Sequence, residues 1–285
     1  MIHWPFNPEA EPLTSPPGVP TGVLRDAAFC LFHNVPLAAP LPRLATVPGA
    51  IRYVLDQAPS YYTSLDGTFD DYLATFSSKT RSTLQRKVRK FAELSGGVVD
   101  LRLYRKPQEM GTYHALARQV AARTYQERLF GGAIPGSPDF LRHIQTLAAE
   151  DRIRGFLLFL NGQPIAYLHL PVHPDGTVEY EYLGYDPAHS NTSPGTVLLF
   201  LALQQLFSEH GLRYFDFSYG YGQTKEVFSR GQYLRADIYY FSKTPFHFLA
   251  IYGHSALDSF SVWIGRVLER WGLKRAIKRL LRGAS

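Results

Sequence analysis

Asn161-Gly162 stands between two apolar runs, Phe156–Leu160 and Ile165–Val172, and nothing else in the chain restricts the fold as strongly. An Asn-Gly pair suits the left-handed backbone of a two-residue hairpin, so the two runs are expected to pair antiparallel. Pro174-Asp175-Gly176 repeats the turn signal and leads into Thr177–Tyr185, a third strand. After a loop from Pro187, Ser193-Pro194-Gly195 opens a helix that should reach about His210 and stop at Gly211. Tyr214–Ser218 reads as a strand, Gly220–Gly222 as a loop and Ala236–Phe241 as a last strand.

Upstream, apolar residues recur every three to four positions from Asp70 to Leu94, the spacing of a helix, until Ser95-Gly96-Gly97 ends it. Val99, Leu101 and Leu103 alternate with polar neighbours as in a strand. Pro107 to about Leu129 reads as a helix, followed by a glycine-containing loop to Gly136. Ser137-Pro138-Asp139 supplies a cap, a proline at the first helical position and an acid in the first turn of another helix, to about Glu150. From residue 98 the order is therefore strand, two helices, three antiparallel strands, helix, strand, short helix, strand.

The flanks differ from this middle. Residues 1–60 hold 11 of the 20 prolines, with only short apolar runs between them, which suits short strands in a partial lobe. The net charge of +6 belongs to the other end. From Arg266 onward there are seven basic residues and one acid, so the rest of the chain is neutral. Three regions follow: a Pro-rich lobe over 1–65, a main domain over 66–245, and basic amphipathic helices over 246–285. One cysteine excludes an internal disulfide framework. The absence of a secretory start and of a spanning run leads to the expectation of a cytoplasmic protein. The tryptophan-containing, basic stretch 262–282 suits peripheral contact with the inner face of a membrane, or packing on the core or a partner.

Three segments resemble GNAT acyltransferases of cellulose and exopolysaccharide biosynthesis, distant relatives of the Fem-type aminoacyl transferases. They are the helix Ser77-Ser78-Lys79-Thr80-Arg81-Ser82-Thr83-Leu84-Gln85-Arg86, the helix opening Ser193-Pro194-Gly195-Thr196-Val197-Leu198, and Phe215-Asp216-Phe217 followed by Gly220, Gly222 and Lys225. Thr224 stands where the family usually has tyrosine, and Tyr219 interrupts the glycine-rich run. The resemblance implies an α/β (α+β) GNAT fold, a mixed and mainly antiparallel sheet flanked by helices. It also implies acyl transfer from acyl-CoA, or from the pantetheine of an acyl-carrier protein, to an amine or, less readily, a hydroxyl. The acceptor would be a small molecule or glycan-linked. A Fem-like transferase using aminoacyl-tRNA is the first alternative. A non-catalytic GNAT scaffold at a membrane is the second, favoured if every candidate carboxylate is paired and the cleft is closed.

The residues themselves suggest roles. Asn191, Ser193, Gly195 and Thr196 lie at a helix start, where free N–H groups and the positive dipole end attract an anion such as the donor's diphosphate. An ordinary Ser-Pro cap would look the same. Glu179 and Glu181 are two apart on a strand, so their carboxylates share a face. Either at least one acts as a general base with a raised pKa, or one or both are salt-bridged, for example to Arg213 or Arg235, or lie at a splayed and wet strand end. Asp216 either orients the acceptor and holds Lys225, or accepts backbone hydrogen bonds from the next loop. Tyr219 either protonates the leaving thiolate or covers the end of the sheet, as does Tyr221. Arg81 and Arg86, with Lys79, either grip a carboxylate or phosphate or form a solvated face. Together with Tyr125 and Lys225, the two arginines are assigned to the acceptor side. His169 and His173 read as packing residues. The ten histidines show no metal-ligand spacing, so no metal is expected. With no P-loop, Rossmann fingerprint or nucleophile elbow, transfer should be direct.

Overall fold

The computed structural model describes residues 1–254, apart from Pro5, residues 20–21, residues 125–132 and Tyr221. The expected membrane-contact stretch 262–282 and the candidate Tyr125 lie outside the described residues. The chain forms two compact units, one of residues 1–57 with 234–285 and one of residues 58–233. The expected limits were 65 and 245. The division falls inside one strand at each end, because the apolar alternation of both strands runs on past the point where their neighbours change.

In the first unit, β1 (Ile2–His3), β2 (Phe29–Leu37), β11 (Gly231–Ser242) and β4 (Ala50–Ser64) lie in that order, with β3 (Leu44–Val47) paired to β4. A short helix, α1 (Val23–Asp26), precedes β2. Short strands were expected here, yet β4 has 15 residues. Pro59 does not end it. Its missing N–H costs the ladder one donor, while its carbonyl still accepts from Gly220 N–H at 3.0 Å.

The second unit carries the predicted middle. The single helix expected over 70–94 is two, α2 (Phe69–Ala74) and α3 (Ser78–Leu94). Ser77 breaks the run: its hydroxyl accepts from Thr80 N–H and caps a new helix. Gly97 N–H then returns to Ala92 O at 2.8 Å, closing α3 with two left-handed glycines. β5 (Asp100–Tyr104) leads to α4 (Met110–Ala121), and α5 (Pro138–Ala149) starts at the predicted Ser137 cap. β6 (Ile153–Leu160) and β7 (Gln163–Pro171) form the hairpin, with Asn161 and Gly162 both at positive φ. These strands order as β5-β6-β7-β9, where β9 is Tyr182–Tyr185. The helix α6 (Pro194–Leu206) lies on one face, within an apolar core shared with α2 and α3. α4 and α5 cover the other face. β10 (Tyr214–Tyr219) and α7 (Gln223–Phe228) complete the unit.

The third predicted strand, Thr177–Tyr185, is broken. Its first part, β8 (Thr177–Glu179), runs parallel to β10, and its second part, β9, runs antiparallel to β7. Tyr180 donates its N–H to Asp216 O at 2.8 Å, while the next residue, Glu181, turns its N–H to His169 O at 3.3 Å. Alternation slips at the same point. Tyr180 and Leu183 pack into the α6 core, whereas Tyr182 packs on the α4 side and Glu181 meets His169. Two consecutive residues facing one way is the signature of a bulge. Beyond it, the strand has left β10 for β7, so β9 and β10 diverge.

Candidate active site

The break between β8 and β9 gathers the predicted carboxylates on the α4 and α5 side of the sheet. Glu179 is in register with Asp216 across the parallel pair, so both point to the same face. Phe215 and Phe217 point the opposite way into the core, with ring centroids 4.7 Å apart, which holds Asp216 outward. Asp216 is nearly buried and accepts Ser218 N–H at 2.8 Å. Ser218 reaches that position with φ 60° and donates its hydroxyl to Tyr180 O at 3.3 Å, tying the strands together at the closed end of the divergence. That hydrogen bond comes from within β10, and the charge of Asp216 acts on Lys225. Burial lowers the pKa of that lysine and Asp216 opposes the shift.

Each glutamate meets a histidine on β7 or just beyond it. Glu179 accepts from His173 Nε2 at 2.9 Å, in a half-exposed pair. Glu181 Oε2 is 3.5 Å from Nε2 of His169. These histidines, read from the sequence as packing residues, are partners of the two carboxylates. An i, i+4 spacing on a strand flanking the Glu-x-Glu strand was the available signal, since 169 and 173 share a face. His169 is 1% exposed and stacked against Tyr113, and burial pushes its pKa down to about 3. Burial, and then the charge of Glu179, raises the pKa of Glu181. Tyr182, hydrogen-bonded to Glu181, is pushed up to about 12 by burial and the nearby carboxylate.

The opposite side of the sheet holds a cavity of about 490 Å³ at the start of α6. Thr196 lines it, with Lys79, Thr80, Thr83 and Lys87 of α3 and Thr224 of α7 among the other walls. The basic contribution is therefore Lys79 and Lys87. Arg81 and Arg86 do not line it: lysines 79 and 87 lie on one stripe of α3 with Thr83, and Arg86 is exposed. Nor does Ser193 cap α6 as expected. It adopts a left-handed conformation, φ 56°, and its side chain makes no cap hydrogen bond. Pro194 has no N–H, and Thr196 turns its own to Ser193 O at 3.0 Å. The donor offered by the first turn is thus Gly195 N–H; Gly195 is buried and does not itself line the cavity, where Thr196 and the two lysines stand. This set suits a polyanion. Asn191 is exposed on the turn before the helix.

Gly195 meets the split strand. A side chain there would meet Leu183 at 3.2 Å and Tyr185 at 3.3 Å, both on β9. The helix start consequently lies against the diverging strand. Tyr219 ends β10, but its side chain lies outside the described residues.

Residues 78–226, more than half of the sequence, match the family model described as Acetyltransferase (GNAT) domain. The chain belongs to this GNAT family. Among curated proteins, none matches it significantly. Among solved structures, the C-terminal DUF2156 domain of an Agrobacterium fabrum protein assigned as a lysylphosphatidylglycerol synthetase is 13% identical, with TM-score 0.51, covering 80% of this chain and 72% of that one. FemX is 13% identical, with TM-score 0.46, over 68% of this chain and 64% of its own. A protein assigned to the GNAT family from Novosphingobium aromaticivorans is 12% identical, with TM-score 0.38, over 79% of both chains. At such identities the first likeness is one of fold, and the other two are more distant. The mixed sheet flanked by helices is the GNAT fold, in which β8 and β9 stand for one split strand.

Proposed function

We propose that this GNAT protein transfers an acyl group directly from acyl-CoA to an amine. The observation that carries the reading is the placement of Glu181: a carboxylate of raised pKa, beside a bulge, where β9 leaves β10 and α6 begins. The donor's diphosphate would sit at Gly195, Thr196, Lys79 and Lys87, and its pantetheine arm would pass between the diverging strands. The acceptor ammonium then gives a proton to Glu181. Its nitrogen lone pair attacks the thioester carbonyl carbon, the C–S bond breaks, and the second nitrogen proton passes to Tyr219 as Tyr219 gives its own to the departing thiolate. Asp216 and Lys225 would orient the acceptor.

All three carboxylates have partners, which was the condition favouring a non-catalytic scaffold. Two features weigh against that reading. The cavity is open, and His169, the partner of Glu181, is held neutral and so does not itself offset the carboxylate's charge. An aminoacyl-tRNA donor keeps a specific support: Arg86, Arg89 and Lys90 are exposed on the helix that supplies Lys79 and Lys87. An acceptor in polysaccharide assembly rests on the resemblance of the three sequence segments. Titration calorimetry of the full chain with acetyl-CoA and with aminoacyl-tRNA tests the donor. Saturable acetyl-CoA binding that survives moderate salt is expected. Binding to tRNA alone, falling steeply with salt, would replace this reading with the Fem-like one.

A further inference from the structure

The helix over residues 245–254 is unusual in being apolar on both sides. Its inner side is anchored: Ile251 is buried with Ile51 and Tyr53, and Phe248 packs against the same cluster. Its outer side should be the polar one, as on a helix at the surface of a soluble protein. Instead, residues 245, 246, 249, 250, 252 and 253 are Pro, Phe, Leu, Ala, Tyr and Gly, all exposed and none charged. Phe246 is 74% exposed, Leu249 78% and Tyr252 47%. Their spacing of three puts them on one stripe. An open groove of about 670 Å³ runs along it, lined by Lys243, Thr244, Pro245, Phe248, Leu249 and Tyr252. The apolar surface continues through ring contacts from Phe246 to His247, to Phe241, and to the half-exposed Phe29.

We infer that this face docks on an anionic lipid surface, with Phe246, Leu249 and Tyr252 entering the headgroup boundary. The inference is independent of the proposed acyl transfer. Charge decides the occupant. The exposed Lys243 stands at the start of the stripe, and residues 255–285 carry seven basic side chains against Asp258 and Glu269. An apolar stripe with Lys243 at its start, followed in the sequence by an excess of cations, meets what an anionic bilayer requires: apolar area to insert and positive charge for the headgroups. It offers a protein partner few groups with which to fix orientation: Lys243 and Thr244 at the start of the groove and the Tyr252 hydroxyl. No helix among the described residues is long and apolar enough to cross a membrane, so the contact is peripheral.

Co-sedimentation of the full chain with vesicles of phosphatidylcholine alone, or mixed with phosphatidylglycerol, tests this. The chain should pellet with the mixed vesicles, and much less with the neutral ones or at raised ionic strength. Phe246→Ser with Leu249→Ser should reduce partition roughly tenfold or more, as expected when two large side chains stop inserting. Both positions are exposed, so the melting temperature should hold. Equal sedimentation of variant and wild type would overturn the proposal and leave the face covered by the chain's own residues 255–285. A dimer that becomes a monomer in the variant, measured by light scattering without lipid, would overturn it in favour of a second copy.

Discussion

His169 and Glu181 lie 3.5 Å apart, Nε2 to Oε2, yet they are not an ion pair. The imidazole is buried among Tyr113, Phe140 and Tyr182 and titrates near 3, so it is neutral wherever the glutamate is charged. Tyr113 fixes the ring from the far side, with its hydroxyl 3.3 Å from Nδ1. The pair therefore positions a carboxylate without neutralising it, and leaves Glu181 able to accept a proton at a pH above the ordinary carboxylate range.

The first prediction follows from that raised pKa. Glu181→Gln should lower turnover by ~10²–10⁴-fold, the usual cost of removing a positioned base, and abolish the acid limb of the pH profile. Glu179→Gln should act differently. The charge of Glu179 helps to raise Glu181, so its removal lets Glu181 ionise more easily and moves the acid limb to lower pH. The pH dependence of kcat/KM for the three proteins checks both. An acid limb that stays in place in Glu181→Gln puts the base elsewhere.

A second prediction concerns His173. Its hydrogen bond with Glu179 raises the histidine pKa above its ordinary value, with burial, Asp175 and Arg152 as smaller influences. A raised pKa in the fold means that protonation stabilises the fold. The benefit is full below the unfolded pKa and is lost as pH rises through the folded one. Glu179→Gln should accordingly lower the melting temperature at mildly acid pH and leave it nearly unchanged at alkaline pH. The pair is half exposed, so the difference should be small. A deficit that grows with pH would mean that the contact works in some other way.

The third prediction separates lysines from arginines on α3. Lys79→Ala with Lys87→Ala should weaken acetyl-CoA binding roughly ten- to hundredfold, since each removes a charged partner of a phosphate. Arg81→Ala with Arg86→Ala should leave it within about threefold, as neither lines the cavity. Calorimetry of both double variants decides, and the reverse ranking would return the donor to the other side of the helix.

That contrast marks what was legible in the sequence. The hairpin at Asn161-Gly162, the Ser137 cap and the glycine stop after Leu94 act locally, through backbone conformations that few residues adopt, and so could be read directly. Glu179, Glu181 and Asp216 were legible because strand alternation assigns faces. The break at Tyr180-Glu181 was not, because it depends on a change of partner from β10 to β7, which no local pattern records. Lys87 was missed, and Lys79 grouped with Arg81 and Arg86, for a related reason. Arg86, Lys87 and Lys79 lie in the same basic helix, and only the position of α6 determines which of them faces the cavity. The histidines needed the register between β7 and the split strand.

The last prediction tests whether β9 is placed by a ring. Gly184 lies opposite Tyr167 in the β7–β9 ladder, and the tyrosine ring lies over it: a Cβ on Gly184 would come within 2.4 Å of the ring. Tyr167 cannot swing away, being 1% exposed with its hydroxyl accepting from Ile134 N–H at 3.3 Å. Gly184→Ala should thus force β9 away from β7 and cost about 1–3 kcal/mol, the range for overpacking a filled core. Because β9 begins next to Glu181, turnover should fall as well, even though Gly184 touches no candidate catalytic group. Urea denaturation measures the first effect, and a double-mutant cycle with Tyr167→Leu shows its cause. If the ring is the obstacle, Gly184→Ala costs less in the Tyr167→Leu background than in the wild type. Equal costs in the two backgrounds would mean that the glycine is needed for its backbone alone, and that the position of β9, and of Glu181 with it, is set by the ladder.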